Sequence, residues 1–112
     1  MAAVIEIRTY RISPGQRDEI IRLLRDRLFP VHREIGIKVI GPFPSAEDED
    51  TLTWLRAFPD AASRDTMTSA LYSGPVWKDE LEGLIVPAIT DYTVAVVSDA
   101  PGIWDNWPEP RA

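Results

Sequence analysis

The sequence contains no cysteine and a single histidine, His32. Without thiols there is no disulfide framework, no thiol nucleophile, no thiolate-bound zinc and no iron–sulfur cluster. One imidazole rules out metal sites built on two histidines, and any histidine-dependent proton transfer has to use His32. Positive charge is also short. Twelve Lys plus Arg stand against eighteen Asp plus Glu, a net charge of −6 that repels phosphate backbones, so nucleic acid is not an expected partner. No apolar run approaches the roughly 18 residues of a membrane span. The N-terminal stretch meets charge at Glu6, too early for the apolar centre of a signal peptide. A Gly-rich phosphate loop and a Gly-x-Ser-x-Gly elbow are missing as well. The acidic run Glu47-Asp48-Glu49-Asp50 lacks the alternating ligands and central glycine of a calcium loop. The expectation is a cytoplasmic protein that uses neither metal nor cofactor and engages neither membrane nor nucleic acid.

What is present is 112 residues, 45% of them hydrophobic, which suits one domain with one core. Val4 to Ile12 alternates Ile5, Ile7 and Thr9 against Glu6, Arg8 and Tyr10, the period of a strand with one apolar and one chemically equipped face. Ser13-Pro14-Gly15-Gln16 reads as a helix start with Ser13 as cap. The next stripe, Ile20, Leu24, Leu28 and Val31, widened by Ile21 and Leu23, lies on something apolar, and Asp18, Arg22 and Asp26 are expected to pair along the other side. Pro30 falls inside that pattern and should kink or reset the helix near Leu28 and Phe29 before Gly36 ends it. Strands are expected at Ile37–Phe43 and Thr51–Phe58, joined by the solvated acidic loop. From Asp60 a helix runs to Ser73-Gly74-Pro75. A second piece carrying Trp77, Leu81, Leu84 and Ile85 stops at Pro87, and Ala88–Ser98 is a last strand.

The element order is that of the split βαβ motif. The expected fold is therefore α+β and ferredoxin-like, βαββαβ, with a four-stranded antiparallel sheet and helices on one side. Residues 1–98 form this domain and residues 99–112 a Pro- and Trp-containing tail. Helices cover one face only, so the other is expected to meet a second copy of the chain.

Ile5-Glu6-Ile7-Arg8-Thr9-Tyr10, Ser13-Pro14-Gly15, and Phe29-Pro30-Val31 leading to Gly36-Ile37-Lys38-Val39-Ile40-Gly41 stand in an order that resembles the NIPSNAP family. Trp54-Leu55-Arg56-Ala57-Phe58, Asp60-Ala61-Ala62-Ser63-Arg64 and Ser73-Gly74-Pro75-Val76-Trp77 are similar to its third strand, the helix after that strand and its second-helix break. The resemblance spans about residues 4–97 and implies a dimeric α+β barrel, in which two ferredoxin-like sheets pack face to face. That architecture is shared by cofactor-free monooxygenases, haem-handling proteins, isomerases and lyases, so fold does not choose the chemistry. Trp54 and Arg56 depart from the family's more usual small polar residue followed by an aromatic one, and the tail is not part of its pattern.

Candidate catalytic residues are His32, Tyr10, Arg8 and Arg56; candidate substrate-binding residues are Glu6, Trp54, Tyr72 and Trp77. His32 can serve as acid or base in a pocket, as a single axial haem ligand, or be an exposed helix-end imidazole beside Arg33 and Glu34. Glu6, Arg8 and Tyr10 project side by side from one strand face. They can hold an enolate oxygen and move a proton, or Glu6 and Arg8 can pair across a dimer seam. Trp54 and Arg56, and Tyr72 and Trp77 beside the helix break, either line a space for a flat molecule or pack a core and an interface. Trp104 and Trp107 are too apolar to stay in water. They dock across a partner subunit or as a lid over a pocket mouth, unless the tail is dispensable. The reading is a homodimer binding a small organic molecule, aromatic or polyketide-like, as a cofactor-independent isomerase, cyclase or monooxygenase. The alternative is a non-catalytic interaction or stress-related module that uses the dimer surface and tail.

Overall fold

A computed structural model describes residues 2–108; Met1 and residues 109–112, with which the expected domain begins and the expected tail ends, lie outside it. Strand β1 (Val4–Ile12) is succeeded by α1 (Arg17–Leu23), a π-helical turn (Leu24–Leu28) and α2 (Phe29–Ile35). The hairpin β2 (Lys38–Pro44) and β3 (Thr51–Phe58) comes next, then α3 (Ala61–Ser73), a second π-helical turn (Val76–Leu81), α4 (Glu82–Ile85), a 3₁₀ turn (Val86–Ala88) and β4 (Ile89–Ser98). All pairings are antiparallel and the sheet order is β2-β3-β1-β4. This is the ferredoxin-like arrangement. Among the described residues no helix is long and apolar enough to cross a membrane.

The first helix starts later than the capping pattern predicts. Ser13 to Gln16 form a turn closed by Gln16 N–H on the Ser13 carbonyl at 3.1 Å, and Gly15 at φ 81° cannot be helical, so α1 begins at Arg17. At Pro30 the helix is reset, as one of the two expectations has it. The proline offers no N–H, and the turn before it widens, with Phe29 N–H reaching five residues back to the Leu24 carbonyl. The extra residue rotates α2 about its axis by roughly 100°. Val31, expected on the inner stripe, is half-buried, and His32 takes its place inside. The expected Arg22–Asp26 salt bridge is not made: Arg22 pairs with Glu19 and Arg25 with Asp26. A second wide turn comes after Gly74-Pro75, and Leu84 turns out to solvent while Leu81 and Ile85 face inward.

Asp60 caps α3 as its position suggests, accepting from Ser63 N–H at 2.8 Å. The main core lies between the helices and one sheet face, built from Ile12, Ile20, Leu24, Phe29, Leu52, Trp54, Leu71 and Leu81 with Tyr10 at its edge. Register fixes which side chains share that face: Glu6 lies opposite Arg56, Arg8 opposite Trp54 and Tyr10 opposite Leu52. The chemically equipped face of β1 is thus the one the helices cover. Its apolar face, Ile5 and Ile7 beside Ala57 and Leu55, is the open one.

The tail meets part of that open face. Asp99 gathers the N–H groups of Ile103 (2.9 Å) and Trp104 (2.8 Å) into a 3₁₀ turn (Ile103–Asn106). Trp107 is buried against Ile5 and Ala57, and its indole N–H donates to the Val39 carbonyl at 2.9 Å. Lys38 lies 4.2 Å from the centre of the Trp104 ring and donates to the Trp104 carbonyl. The expectation of a lid over a pocket mouth is corrected: both tryptophans dock on their own sheet, on the face away from the helices and from the space between helices and sheet.

Candidate functional site

The site is organised around one carboxylate. Glu6, 1% exposed, accepts from Arg56 Nε at 2.8 Å, from Arg64 Nε at 2.7 Å and from Arg8 Nη1 at 2.5 Å. These four residues belong to three elements of one chain, β1, β3 and α3. The Glu6–Arg8 pair is therefore satisfied inside the protomer and needs no dimer seam. Burial works to raise the Glu6 pKa, but the Arg56 charge and the hydrogen bonds from Arg64, Arg56 and Arg8 overcome it and hold it at about 2. Three guanidiniums against one carboxylate leave a surplus of two positive charges in a largely buried space. That surplus favours an anion nearby.

His32 lies beneath this cluster with no exposed surface, which excludes the exposed helix-end reading. Its Nδ1 is 3.0 Å from the Leu28 carbonyl, a pure acceptor, so the ring donates there and Nε2 is left as an acceptor facing Arg56 Nη1 at 3.4 Å. Burial, joined by the Arg56 and Arg8 charges and opposed by the Leu28 bond, pushes its pKa down to about 3. At neutral pH it is an uncharged prop for Arg56. With Nε2 turned to a guanidinium, it has no free nitrogen for haem iron, and the axial-ligand alternative does not fit. Trp54, 1% exposed, sits edge-on to the imidazole at 5.4 Å, tilted against Phe29, with the Arg8 and Arg56 guanidiniums 5.5 and 5.6 Å from its ring. It forms the packed bed of the cluster. Its indole N–H is buried without a partner among the described residues.

Above this bed opens a cavity of about 300 Å³. Arg8 and Tyr10 form its floor, Tyr72 and Trp77 one wall, and Val86, Ile89 and Tyr92 the rest. Tyr72 and Trp77 meet edge to face at 5.2 Å where the chain leaves α3, and the wide turn after Gly74 swings Trp77 across the opening. The phenols are tied to the charges beneath them: Arg8 Nε donates to the Tyr10 hydroxyl at 3.0 Å and Arg56 Nη1 to the Tyr72 hydroxyl at 2.9 Å. Burial raises the Tyr10 pKa against the opposing Arg8 charge, so its phenol stays protonated.

All eight residues singled out in the sequence thus fall in one region, in two layers. Arg8, Tyr10, Tyr72 and Trp77 face the cavity; Glu6, His32, Trp54 and Arg56 lie beneath it. The sequence reading missed Arg64, whose carboxylate partner is 58 positions away. Only Leu71 of α3 is buried, so no apolar stripe shows which side of that helix faces the sheet. It also missed Val86, Ile89 and Tyr92, which are ordinary residues of a turn and an edge strand until the fold brings them to the rim.

The fold recurs in solved structures. A NIPSNAP domain protein from Burkholderia xenovorans is 20% identical, with 84% of this chain and 91% of that one covered, at a TM-score of 0.73. A NIPSNAP family protein from Agrobacterium tumefaciens is 17% identical, with 87% and 85% covered, at 0.76. A protein from Nitrosomonas europaea named as a candidate antibiotic biosynthesis monooxygenase is 10% identical, with 88% and 91% covered, at 0.71. At such identities the likeness carries the fold. No curated protein matches the chain. The NIPSNAP family pattern matches residues 5–91, most of the domain and well over half of the chain, and the chain belongs to the NIPSNAP family.

Proposed function

We propose that this NIPSNAP protein is a homodimer whose protomers each bind a small organic molecule, aromatic or polyketide-like, in the cavity between sheet and helices. Its chemistry would be a cofactor-independent proton transfer, as in an isomerase or cyclase, or the oxygenation of an electron-rich ring. The observation that carries this reading is the surplus of guanidinium charge directly beneath an aromatic-walled cavity. Such a floor stabilises an enolate or phenolate as it forms, before water can screen it. Arg8 holds the developing negative oxygen, Tyr10, kept protonated by burial, lends it a hydrogen bond, and the proton that the substrate loses passes to water at the cavity mouth and can return from it. Glu6 and His32 are poor bases here, one shared among three cations and the other turned to Arg56. Arg56 and His32 act by positioning, and Trp54 by packing beneath them.

Dimerisation draws support from β4. Tyr92 is 62% exposed, and Val96 and Val97, on opposite faces of that edge strand, are 49% and 40% exposed, an apolar edge that a second copy would cover. A module recruiting a protein partner through its tail draws less support, because Trp107 is already buried on its own sheet. Native mass spectrometry of freshly purified protein tests the reading. The expected result is a dimer carrying extra mass that disappears on denaturation, and an Arg8→Met variant that stays dimeric but retains at least tenfold less of it. A monomer, or retention that is indifferent to Arg8, overturns it.

A further inference from the structure

The small-molecule reading leaves the ligand's polar group unnamed, and the direction of each hydrogen bond on the cavity floor names it. A guanidinium only donates. The Tyr10 oxygen is therefore the acceptor in its bond with Arg8, and the Tyr72 oxygen the acceptor in its bond with Arg56. Each phenol keeps its own proton to give elsewhere, and among the described residues no group within hydrogen-bond distance takes either one. Both tyrosines line the cavity. Arg8, lining it as well, spends Nε on Tyr10 and Nη1 on Glu6, and its Nη2 has no partner among the described residues. Three donors thus share one floor. The two acceptors nearest them, Glu6 and His32 Nε2, are already taken by guanidiniums.

We propose that the hydroxyls of Tyr10 and Tyr72, together with Arg8, form an oxyanion-holding floor, and that the cavity selects planar ring molecules bearing one anionic oxygen, a phenolate or enolate. The inference rests on the small-molecule reading of this cavity. A protonated ligand can still accept from the floor, as the Tyr10 hydroxyl accepts from Arg8, but it brings one lone pair fewer and no charge to set against the guanidinium surplus, so the neutral acid is held less well than the anion. Trp77 and Tyr72, set edge to face, supply an aromatic wall, and Ile89 and Val86 leave the ring's other edge without polar partners. The charged and titratable groups around the floor are Glu6 and Arg8 from β1, Arg56 from β3, His32 from α2 and Arg64 from α3. At the rim Glu82 from α4 holds the Trp77 indole N–H at 3.2 Å. Glu6 and His32 keep their charge states from about pH 6 upward, so the pH dependence of binding in that range tracks the ligand's ionisation.

The probe is 4-nitrophenol, whose phenol and phenolate absorb at different wavelengths, with 4-nitrotoluene as the uncharged isostere and 4-nitrobenzoate as a carboxylate of the same charge. Titrated at about pH 6 and about pH 9, the parent protein is expected to bind the phenolate at least tenfold tighter than 4-nitrotoluene. The bound probe should ionise at lower pH than the free one. Tyr72→Phe and Tyr10→Phe keep the ring walls and remove the donors. Each should weaken phenolate binding about tenfold, the size of a hydrogen bond to a charged group, and leave 4-nitrotoluene unchanged. Tyr72 is only half-buried, so Tyr72→Phe keeps the test sharp if Tyr10→Phe lowers the unfolding temperature. Binding of 4-nitrobenzoate with the same dependence on both hydroxyls also supports the floor. Equal affinity of the parent for phenolate and 4-nitrotoluene overturns the oxyanion floor and leaves the cavity reading standing. So does a Tyr72→Phe loss shared by both probes. No binding of any probe, in titration or in ligand-observed NMR at millimolar concentration, removes the cavity reading and the inference with it.

Discussion

On the helix side of β1, Glu6, Arg8 and Tyr10 are folded in among Arg56, Arg64 and Trp54; on the other side Ile5 and Ile7 lie beside Ala57 under two tryptophans from the tail. The same nine residues of strand build both faces. The open face uses apolar burial, which stabilises in proportion to area and needs no exact geometry. The covered face buries one carboxylate and the Arg56 guanidinium, with Arg8 and Arg64 reaching in from its edge, and there desolvation consumes much of what attraction returns. A protein selected for stability alone would place these the other way round, with apolar side chains under the helices. The reversal, together with the cavity above it, marks the covered face as the working one.

The comparison breaks most sharply at Glu6. Glu6→Ala leaves Arg8, Arg56 and Arg64 facing one another without a counter-charge, and is expected to cost about 3–5 kcal/mol in urea unfolding. A loss below about 1 kcal/mol would mean that the carboxylate is dispensable and the guanidiniums are already well solvated. On the open face Trp107→Ala removes a buried indole and its bond to the Val39 carbonyl. The expected cost is about 2 kcal/mol, less than for a core tryptophan because a terminal segment can undock by itself. Binding of small aromatic anions should stay unchanged, since the indole lies across the sheet from the cavity. Altered binding in Trp107→Ala would show that the two faces are coupled.

Much of the fold was legible in the sequence, and the missing parts have physical causes. Strand boundaries came from period-two alternation, and β3 appears where Thr51 to Phe58 places it. Alternation separates two faces but does not say which one the helices cover, since that depends on long-range pairing. The Glu6-Arg8-Tyr10 row could therefore be seen but not placed. His32 depends on a local irregularity. A single inserted residue in the turn Leu24–Leu28 turns it to the interior and decides between the pocket and exposed alternatives, and Pro30, where a kink or reset is expected, is where that insertion is called for. Arg64 had no local signal at all, because its role is defined by a carboxylate on another element.

A pH effect of similar size, spread over about two pH units, sharpens the comparison by asking how the covered face answers acid. His32 ionises at about 3 in the folded chain and near its ordinary 6.5 once unfolded, so the unfolded chain takes up a proton below pH 6.5 that the folded one refuses. Stability is therefore full above that pH and falls as pH drops. Glu6 has the same sign in a lower window, its folded value of about 2 against an ordinary 4.5. Between about pH 6.5 and 4.5 the slope belongs to His32, and by about pH 5 the loss should reach about 2 kcal/mol. His32→Gln should abolish that slope whatever its effect on stability at pH 7. Because the chain has one imidazole, proton NMR reads it directly: its ring signals should stay fixed from about pH 8 to about pH 5 while the protein remains folded. A ring that titrates near 6.5 in the folded protein would place His32 in contact with water. Arg56 would then lose its prop, and the layered division between a cavity floor that touches the ligand and a bed that holds the floor in place would fail.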